Sequence, residues 1–417
     1  MMKRILYFVF WVIFCTSCGN FLEEYSQDLV YAQSCEDLDE ILIGNGYMAQ
    51  PTTPSYFSYG DKAFYYPYLH VMDDDIEEYL TGNANISSSI NPVTTLRNFY
   101  IWAKEPFMRI SGLTFRDYDW KRMYEHIGYL NVIISYVKEF HEDSEEMRHR
   151  ILGEAQFLRA GYYFMLVNLY ANPYSKETAD ATMGVPLNLT EYIEEGYFSR
   201  DPVAAVYRQI VTDLENAIVN LSGIKQPTIY RVNEKAARAL LSRVYLYMGE
   251  WQLVIDECDE IIKMGCSLWD LNNFDPGTAT FGCKRDYFLA KESPEIFFTQ
   301  GAGVVGLLMD NQNITSQTRY RASDELYGIY SKYEKDGILD LRKNCFFEMS
   351  KRDNGYFFVR KNPMFDATVF DSFLLRSGEI YLNKAEAQAM LDQADAINTM
   401  KELMNKRYAD HGLPVID

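Results

Sequence analysis

The stretch Gly153–Asn172, GEAQFLRAGYYFMLVNLYAN, decides the fold. Ile151, Ala155, Leu158, Tyr162, Met165 and Leu169 recur at alternating spacings of four and three, and Phe157, Ala160, Phe164, Val167 and Ala171 form a second stripe beside the first. On a helix turning once in about 3.6 residues each stripe is one apolar face, so two adjoining stripes leave almost no side for water. The pattern predicts a helix covered from two sides. Inside a stacked helical array the preceding helix covers one stripe and the following pair the other; the centre of any large helical domain meets the same demand.

The flanking sequence supplies the cover. Trp120, Met123, Ile127, Leu130, Ile134 and Val137 alternate three and four until His141–Ser144 interrupt, which predicts an antiparallel partner joined by a short turn. Downstream, a loop over 173–199 carries Gly184-Val185-Pro186-Leu187. Asp201-Pro202 then predicts a helix start, with Asp201 as cap and Pro202 in the first turn, and with Val206, Ile210, Leu214, Ala217 and Leu221 inward. Asn233 is expected to cap a helix bearing Ala236, Ala237, Leu240, Leu241, Val244 and Met248; Gly249 ends it, and Trp251, Val254, Ile255, Cys258, Ile261 and Ile262 line the next. That pair resembles a tetratricopeptide unit. The helical period lapses over 267–372, except near 324–333, and returns at 374–391 and 394–408.

Before the array, Ser34 predicts the cap of a short helix over 34–43, and 51–70 sets seven Tyr or Phe residues among prolines and a glycine, which is loop chemistry. Asp74 with Glu77 three residues on reads as a capping box at a helix start. A cation held by Asp73–Asp75 beside His70 is the weaker reading, because the alternate-position ligands of a calcium loop are absent.

With 48% hydrophobic residues in 417, the chain can bury one large core or two ordinary ones. The net charge of -19, with no dense basic patch among aromatics, disfavours a nucleic-acid partner. At the amino end, Lys3 and Arg4 precede the apolar run Ile5–Phe14, too short to span a bilayer but suited to an export signal. Cys15-Thr16-Ser17-Cys18 then looks like a bacterial lipobox, which predicts a signal peptide over 1–17, acylation of Cys18 and a tether over 18–30. Each buried acyl methylene adds about 0.8 kcal/mol of anchoring. Cys35, Cys258, Cys266, Cys283 and Cys345 include no CxxC pair and no histidine at metal-ligand spacing, so they read as small core residues; no metal and no cofactor is expected.

Several blocks together resemble the SusD/RagB family, the lipid-anchored nutrient-binding proteins of the Bacteroidetes outer membrane. Cys18 with Asn20-Phe21-Leu22-Glu23 is similar to the family's start. Trp120, Tyr124, Ile127 and Asn131 resemble its first array helix. Glu154-Ala155, Leu158-Arg159-Ala160, Tyr162-Tyr163-Phe164 and Leu166-Val167 match its most recognisable block, followed by Gly184-Val185-Pro186-Leu187. Val206-Tyr207, Ile210, Asp213-Leu214 and Ala217, then Ala236-Ala237 with Ala239–Tyr247, continue the order. Ser323, Glu325-Leu326, Asp340, Arg342, Leu375-Arg376, Glu379–Leu382 and Ala385-Glu386-Ala387 complete it. The resemblance implies a mainly α fold, a tetratricopeptide-like helical-repeat array with an irregular, loop-rich binding lobe. It places 31–417 in one such domain, with repeat pairs about 118–265 and 374–408 and the lobe about 44–117 and 267–372. The family usually continues past the last pair with a charged segment that nothing here matches, which makes this a shortened member or a fragment.

What the resemblance implies for function is capture of an oligosaccharide, or a peptide, at the cell surface and delivery to a SusC-like TonB-dependent barrel transporter, without catalysis. From the residues themselves, sugar rings stack their C–H faces on Trp or Tyr, so Trp102, Trp269, Tyr65, Tyr66 and Tyr287 are the expected ligand-binding side chains. Each could instead anchor a loop on the array. Two other functions compete: a helical-repeat scaffold binding proteins, and a surface glycoside hydrolase. The hydrolase needs two carboxylates facing one cleft, whereas most acidic residues here fall on solvated helix faces, and no GxSxG, HExxH or P-loop pattern occurs.

Overall fold

The computed structural model describes residues 32–49, 65–80, 92–108, 112, 114, 117–192, 197–276, 286, 288–301, 318–350, 355–358 and 373–414. The expected signal peptide, Cys18 and its tether lie outside the described residues, as does Tyr287.

The chain is mainly α, as expected. Helix α1 (Cys35–Ile41) is capped by Ser34, whose Oγ accepts from the Asp37 N–H at 3.2 Å, and runs into a π-helical turn at Leu42–Gly46. A 3-10 turn (Pro67–Val71), strand β1 (Ile76–Leu80) and helix α2 (Pro92–Tyr100) lead to the array. The array comprises α3 (Asp119–Tyr136), α4 (Glu145–Tyr170), α5 (Val203–Leu221), α6 (Glu234–Met248) and α7 (Trp251–Lys263). There follow β2 (Ile296–Gln300), β3 (Thr318–Ala322), α8 (Asp324–Tyr330), α9 (Arg342–Phe346), β4 (Phe347–Ser350), β5 (Gly355–Phe358), β6 (Phe373–Arg376), α10 (Ser377–Met390) and α11 (Asp395–Met404). Among the described residues the strands form three antiparallel pairs, β1 with β3, β2 with β6 and β4 with β5.

Each array helix packs on the next, α3 to α7 in turn, and α10 packs on α7 and carries α11. The central expectation holds: every residue from Gly153 to Phe164 is buried. The close approach of α5 requires Gly153, since a Cβ there would lie 2.6 Å from Leu221 Cγ. Asn233 and Gly249 follow the predicted chemistry, and Ser144, expected only to interrupt the helical pattern, caps α4. Ser144 Oγ accepts from the Met147 N–H, Asn233 Oδ1 accepts from the Ala236 N–H, and Gly249 closes α6 at φ 69°.

Two charges on the buried face of α4 are met by other elements. The Arg159 guanidinium donates from Nε to Asp213 Oδ2 at 2.8 Å, from Nη2 to Asp213 Oδ1 at 2.7 Å and from Nη1 to Asn131 Oδ1 at 2.9 Å, joining α3, α4 and α5. Asn131 in turn donates to the carbonyls of Asn188 and Thr190, which hold the 173–199 loop. Glu154, fully buried, accepts from the Tyr47 hydroxyl, from Arg150 Nη1 at 3.1 Å, from Gln226 Nε2 at 3.0 Å and from Arg231 Nε at 2.8 Å.

Three local expectations are corrected. Asp74 and Glu77 open no helix: 76–80 is strand β1, with Glu77 opposite and ion-paired to Arg321 of β3, because a partner strand meets the backbone groups a capping box would have met. Asp201 does not cap α5; Pro202 holds the cap position while Asp201 Oδ2 accepts from the Leu187 N–H at 2.8 Å, binding the loop to the helix start. The expected helix from 374 begins at Ser377, and 373–376 is β6 beside β2. Cys35, Cys258 and Cys345 are buried, as core residues should be, and Cys266 is half-buried.

Removing one partner of a buried, hydrogen-bonded ion pair leaves the other charge uncompensated and costs about 3–5 kcal/mol. Arg159→Met is therefore expected to lower unfolding free energy by that amount in urea titrations; a loss below about 1 kcal/mol would show that Asp213 finds water or another partner.

Candidate functional site

The ligand-facing candidate is built at the end of α2. After Tyr100 the chain turns with Trp102 at φ 50°, in the left-handed region. The Trp102 N–H donates to Phe99 O at 3.0 Å and the Ala103 N–H to Asn98 O at 2.8 Å, the paired bonds of a Schellman helix end with Trp102 in the position that glycine normally fills. A residue with a Cβ pays roughly 1–2 kcal/mol to stand there. Its ring offsets little of that by packing, for Trp102 is 70% exposed. Ile101 and Leu69 are exposed beside it in sequence and in the adjoining 3-10 turn.

Beneath the turn the support is stiff. Tyr68 stacks on Phe99 at 4.5 Å and 13°, and Phe107 meets Phe99 edge-on at 5.0 Å and Tyr68 at 6.1 Å. Asn98 Nδ2 donates to Met108 O, fastening the segment after Trp102 back onto α2. Lys104 and Glu105, both exposed, follow Trp102 closely in sequence and carry charged hydrogen-bonding groups. The arrangement offers one flat apolar face on a base that does not yield.

The other expected side chains go elsewhere. Tyr65 and Tyr66 are buried and offer no ring face to a ligand. The Tyr65 hydroxyl bonds His126 Nε2 at 3.0 Å and accepts from the Ala49 N–H, and the Arg122 guanidinium lies 4.1 Å from its ring centre. Because His126 Nδ1 donates to Asn45 O, its Nε2 accepts from Tyr65, a neutral tautomer in keeping with a pKa lowered by burial. Tyr66 holds φ 47° directly before Pro67, with its N–H donated to Asp119 Oδ2 at 3.1 Å. Trp269 anchors a second core, stacked on Phe288 and edge-on to Phe274; its N–H donates to Glu295 Oε1 and its carbonyl accepts from Arg407. Tyr287 lies outside the described residues. Leu69 and Ile101 were not foreseen, and the only signal for them is their place beside Trp102. A further exposed run, Tyr192, Tyr197 and Phe198, lies in the loop between α4 and α5, which sequence alone presents as a connection.

Among the described residues no group of three or more His, Cys, Asp or Glu side chains could hold a metal ion, and Asp73–Asp75 form no such cluster. A perturbed carboxyl stands at the start of α3. Burial lifts the Asp119 carboxyl to about 6, against the pull of the paired Arg122, with Asp117 adding to the rise. A carboxyl raised in the folded state contributes stability that is full below its unfolded value near 3.8 and is lost as pH climbs through about 6. The Tyr66 amide, bonded to this carboxyl, should therefore report a titration midpoint near pH 6 by NMR; a midpoint below 4 would show that Arg122 outweighs burial.

Comparison with known proteins follows the same lines. A family model described as SusD-like, starch-binding and associating with the outer membrane matches residues 72–246. The curated SusD-like protein P25 of Formosa agariphila is 26% identical over 267 residues, which is 63% of this chain and 46% of that protein, so the match spans less than half of that relative's length. Among solved structures, a SusD superfamily protein from Bacteroides thetaiotaomicron is 20% identical with a TM-score of 0.68, over 90% of this chain and 81% of its own. A laminarin-binding SusD-like protein is 17% identical with a TM-score of 0.58, over 90% and 89%, and surface glycan-binding protein A from Bacteroides uniformis is 16% identical with a TM-score of 0.62, over 92% and 82%. The matched region and the curated relative make the chain similar to SusD-like proteins, and the solved SusD superfamily structures share its helical fold.

Proposed function

We propose that this chain captures an oligosaccharide at the cell surface, without chemical change, and presents it to a TonB-dependent barrel transporter, held at the outer membrane by acylated Cys18. One observation carries the binding part: Trp102, a bulky side chain kept in a left-handed helix-end position and left mostly in solvent. Backbone strain of that kind persists where function requires it. An indole face is chemically suited to the axial C–H groups of a sugar ring, and Lys104 and Glu105 can take its hydroxyls. The family model's starch-binding description and the glycan and laminarin ligands in the names of two structural neighbours support a carbohydrate over a peptide. Anchoring and delivery rest on the family resemblance and on the lipobox-like residues before Cys18.

Two variants separate binding from folding. Trp102→Ala removes the platform but keeps the backbone strain, so stability should stay within about 0.5 kcal/mol while affinity falls about 30-fold, the effect of truncating a central aromatic contact worth about 2 kcal/mol. Trp102→Gly should bind as poorly yet unfold at equal or higher denaturant, by up to about 1 kcal/mol. Isothermal titration with starch oligosaccharides, laminarin oligosaccharides and mixed peptides reads the affinities. Unchanged glycan binding in both variants would remove Trp102 from the site; peptide binding alone would redirect the cargo; a folded chain that binds none of them would favour the protein-binding scaffold.

A further inference from the structure

The chain leaving α7 opens onto a recess that shares no residue with the Trp102 platform. It is a cavity of about 550 Å³, lined by Cys266 and Leu268 after α7, by Tyr381 of α10, by Glu402 of α11, and by Asn405 and Lys406 just past that helix. Gly265, at φ 91°, turns the chain out of α7 and sets Cys266 against Ser377 at the start of α10, where the hydroxyl bonds the thiol.

Two groups in the wall remain available. Tyr381 is 8% exposed, and its hydroxyl has no hydrogen-bond partner among the described residues although the side chain lines the cavity. Burial, then the neighbouring Cys266 and Glu402, pushes that phenol up to about 12, so it stays a neutral donor. Cys266 is half-buried, whereas Cys35, Cys258 and Cys345 are buried, so among the described residues it is the one free thiol a small reagent can reach. Burial raises its pKa against the pull of the Ser377 hydroxyl and the Lys235 ammonium, with Glu295 adding to the rise. A thiol so held exchanges slowly, but the cavity gives room to whatever stays attached. Its wall offers the Tyr381 hydroxyl and Lys406, already paired with Asp270, to a carboxylate, and Glu402 to an ammonium.

We propose that Cys266 is a thiolation site for a small amino-acid disulfide, the attached half lying in the cavity with its carboxylate on the Tyr381 hydroxyl. The Cys266 thiolate attacks one sulfur of the reagent; the new S–S bond forms as the old one breaks, and the departing thiolate takes up the proton that Cys266 lost. Cys266 is oxidised and the departing half reduced, with no other oxidant needed. Export, which the amino-terminal sequence predicts, leads to a compartment where disulfides persist.

Incubating the full chain with excess L-cystine, then mapping peptides by mass spectrometry with and without dithiothreitol, tests this. One cysteinyl group should appear on the peptide carrying Cys266, be lost on reduction and be absent from Cys266→Ser. Because burial holds the thiol above its ordinary 9.0, the exchange rate should still be climbing at that pH. In redox buffers of matched disulfide-to-thiol ratio, Cys266 should hold the cysteinyl group about fivefold more strongly than the group left by hydroxyethyl disulfide, the effect of one net hydrogen bond. Tyr381→Phe should cut that preference while leaving iodoacetamide alkylation of Cys266 unchanged and the melting temperature equal or higher, since it deletes a buried hydroxyl that has no partner. Trp102→Ala should change none of these readings. No adduct at Cys266, a rate that levels off below the ordinary thiol value, or a cystine preference that is absent or that Tyr381→Phe leaves whole would each overturn the proposal.

Discussion

A helix enclosed on every side can carry charge only where neighbouring elements bring the counter-charge, and α4 carries two such residues in its buried span. Arg159 faces the α3–α5 seam and is answered by a bidentate Asp213 and by Asn131. Glu154 is answered from the opposite direction by Tyr47, Gln226 and Arg231, elements far apart in sequence. Apolar packing alone would tolerate small shifts of helix on helix; directional bonds to a guanidinium do not. The two charges therefore fix α3, α5, the α5–α6 connection and the Tyr47 segment after the π-helical turn against one rod, at the cost of tying their fates together.

A rod so held can support strain at its surface. The Tyr170 end of α4 touches Tyr68 by hydroxyl contact, Tyr68 stacks on Phe99, and Phe99 lies one turn before the strained Trp102. That support lies beneath the turn, since the indole itself is 70% exposed. Glu295 does the corresponding work for the carboxyl-terminal pair: it accepts from Trp269 N–H and Arg407, and its carbonyl accepts from the Ser377 N–H at 2.8 Å at the start of α10. Glu295 is consequently fastened to the start of α10 and to Arg407 beyond α11.

Much of the array was legible because helical periodicity and capping chemistry are local. Ser34, Asn233 and Gly249 perform the roles their residue types and positions announce, and both stripes of α4 are buried as far as Phe164. Asp74–Glu77 misled because a capping box and a strand entry share residue types, and only the distant Arg321 and the backbone of β3 decide between them. The exposure of the candidate side chains was legible only in part. Five aromatics were chosen by loop context; Trp102 alone of those described stands mostly in solvent, because a loop aromatic followed closely by a helix has a core to enter, as Tyr65 and Tyr66 do beside α3. Exposure of Trp102 depends on the Schellman turn, whose usual glycine is missing from the sequence, so no residue type announced it.

The tyrosine count illustrates why composition misleads about ligands. A chain with long irregular connections must satisfy many backbone carbonyls near a hydrophobic interior, and a buried carbonyl left unmet is costly. Tyr162 reaches Gly46 O at 2.7 Å, Tyr163 reaches Asn188 O at 2.7 Å, and Tyr124 reaches Pro186 O at 2.8 Å. Each ring fills the core while its hydroxyl binds a loop that has no strand partner, a task Phe cannot do and Ser cannot reach. In these three places tyrosine fastens an array helix to an irregular connection. Trp102 differs from these tyrosines in two respects: its backbone stands at φ 50° and its ring is 70% exposed.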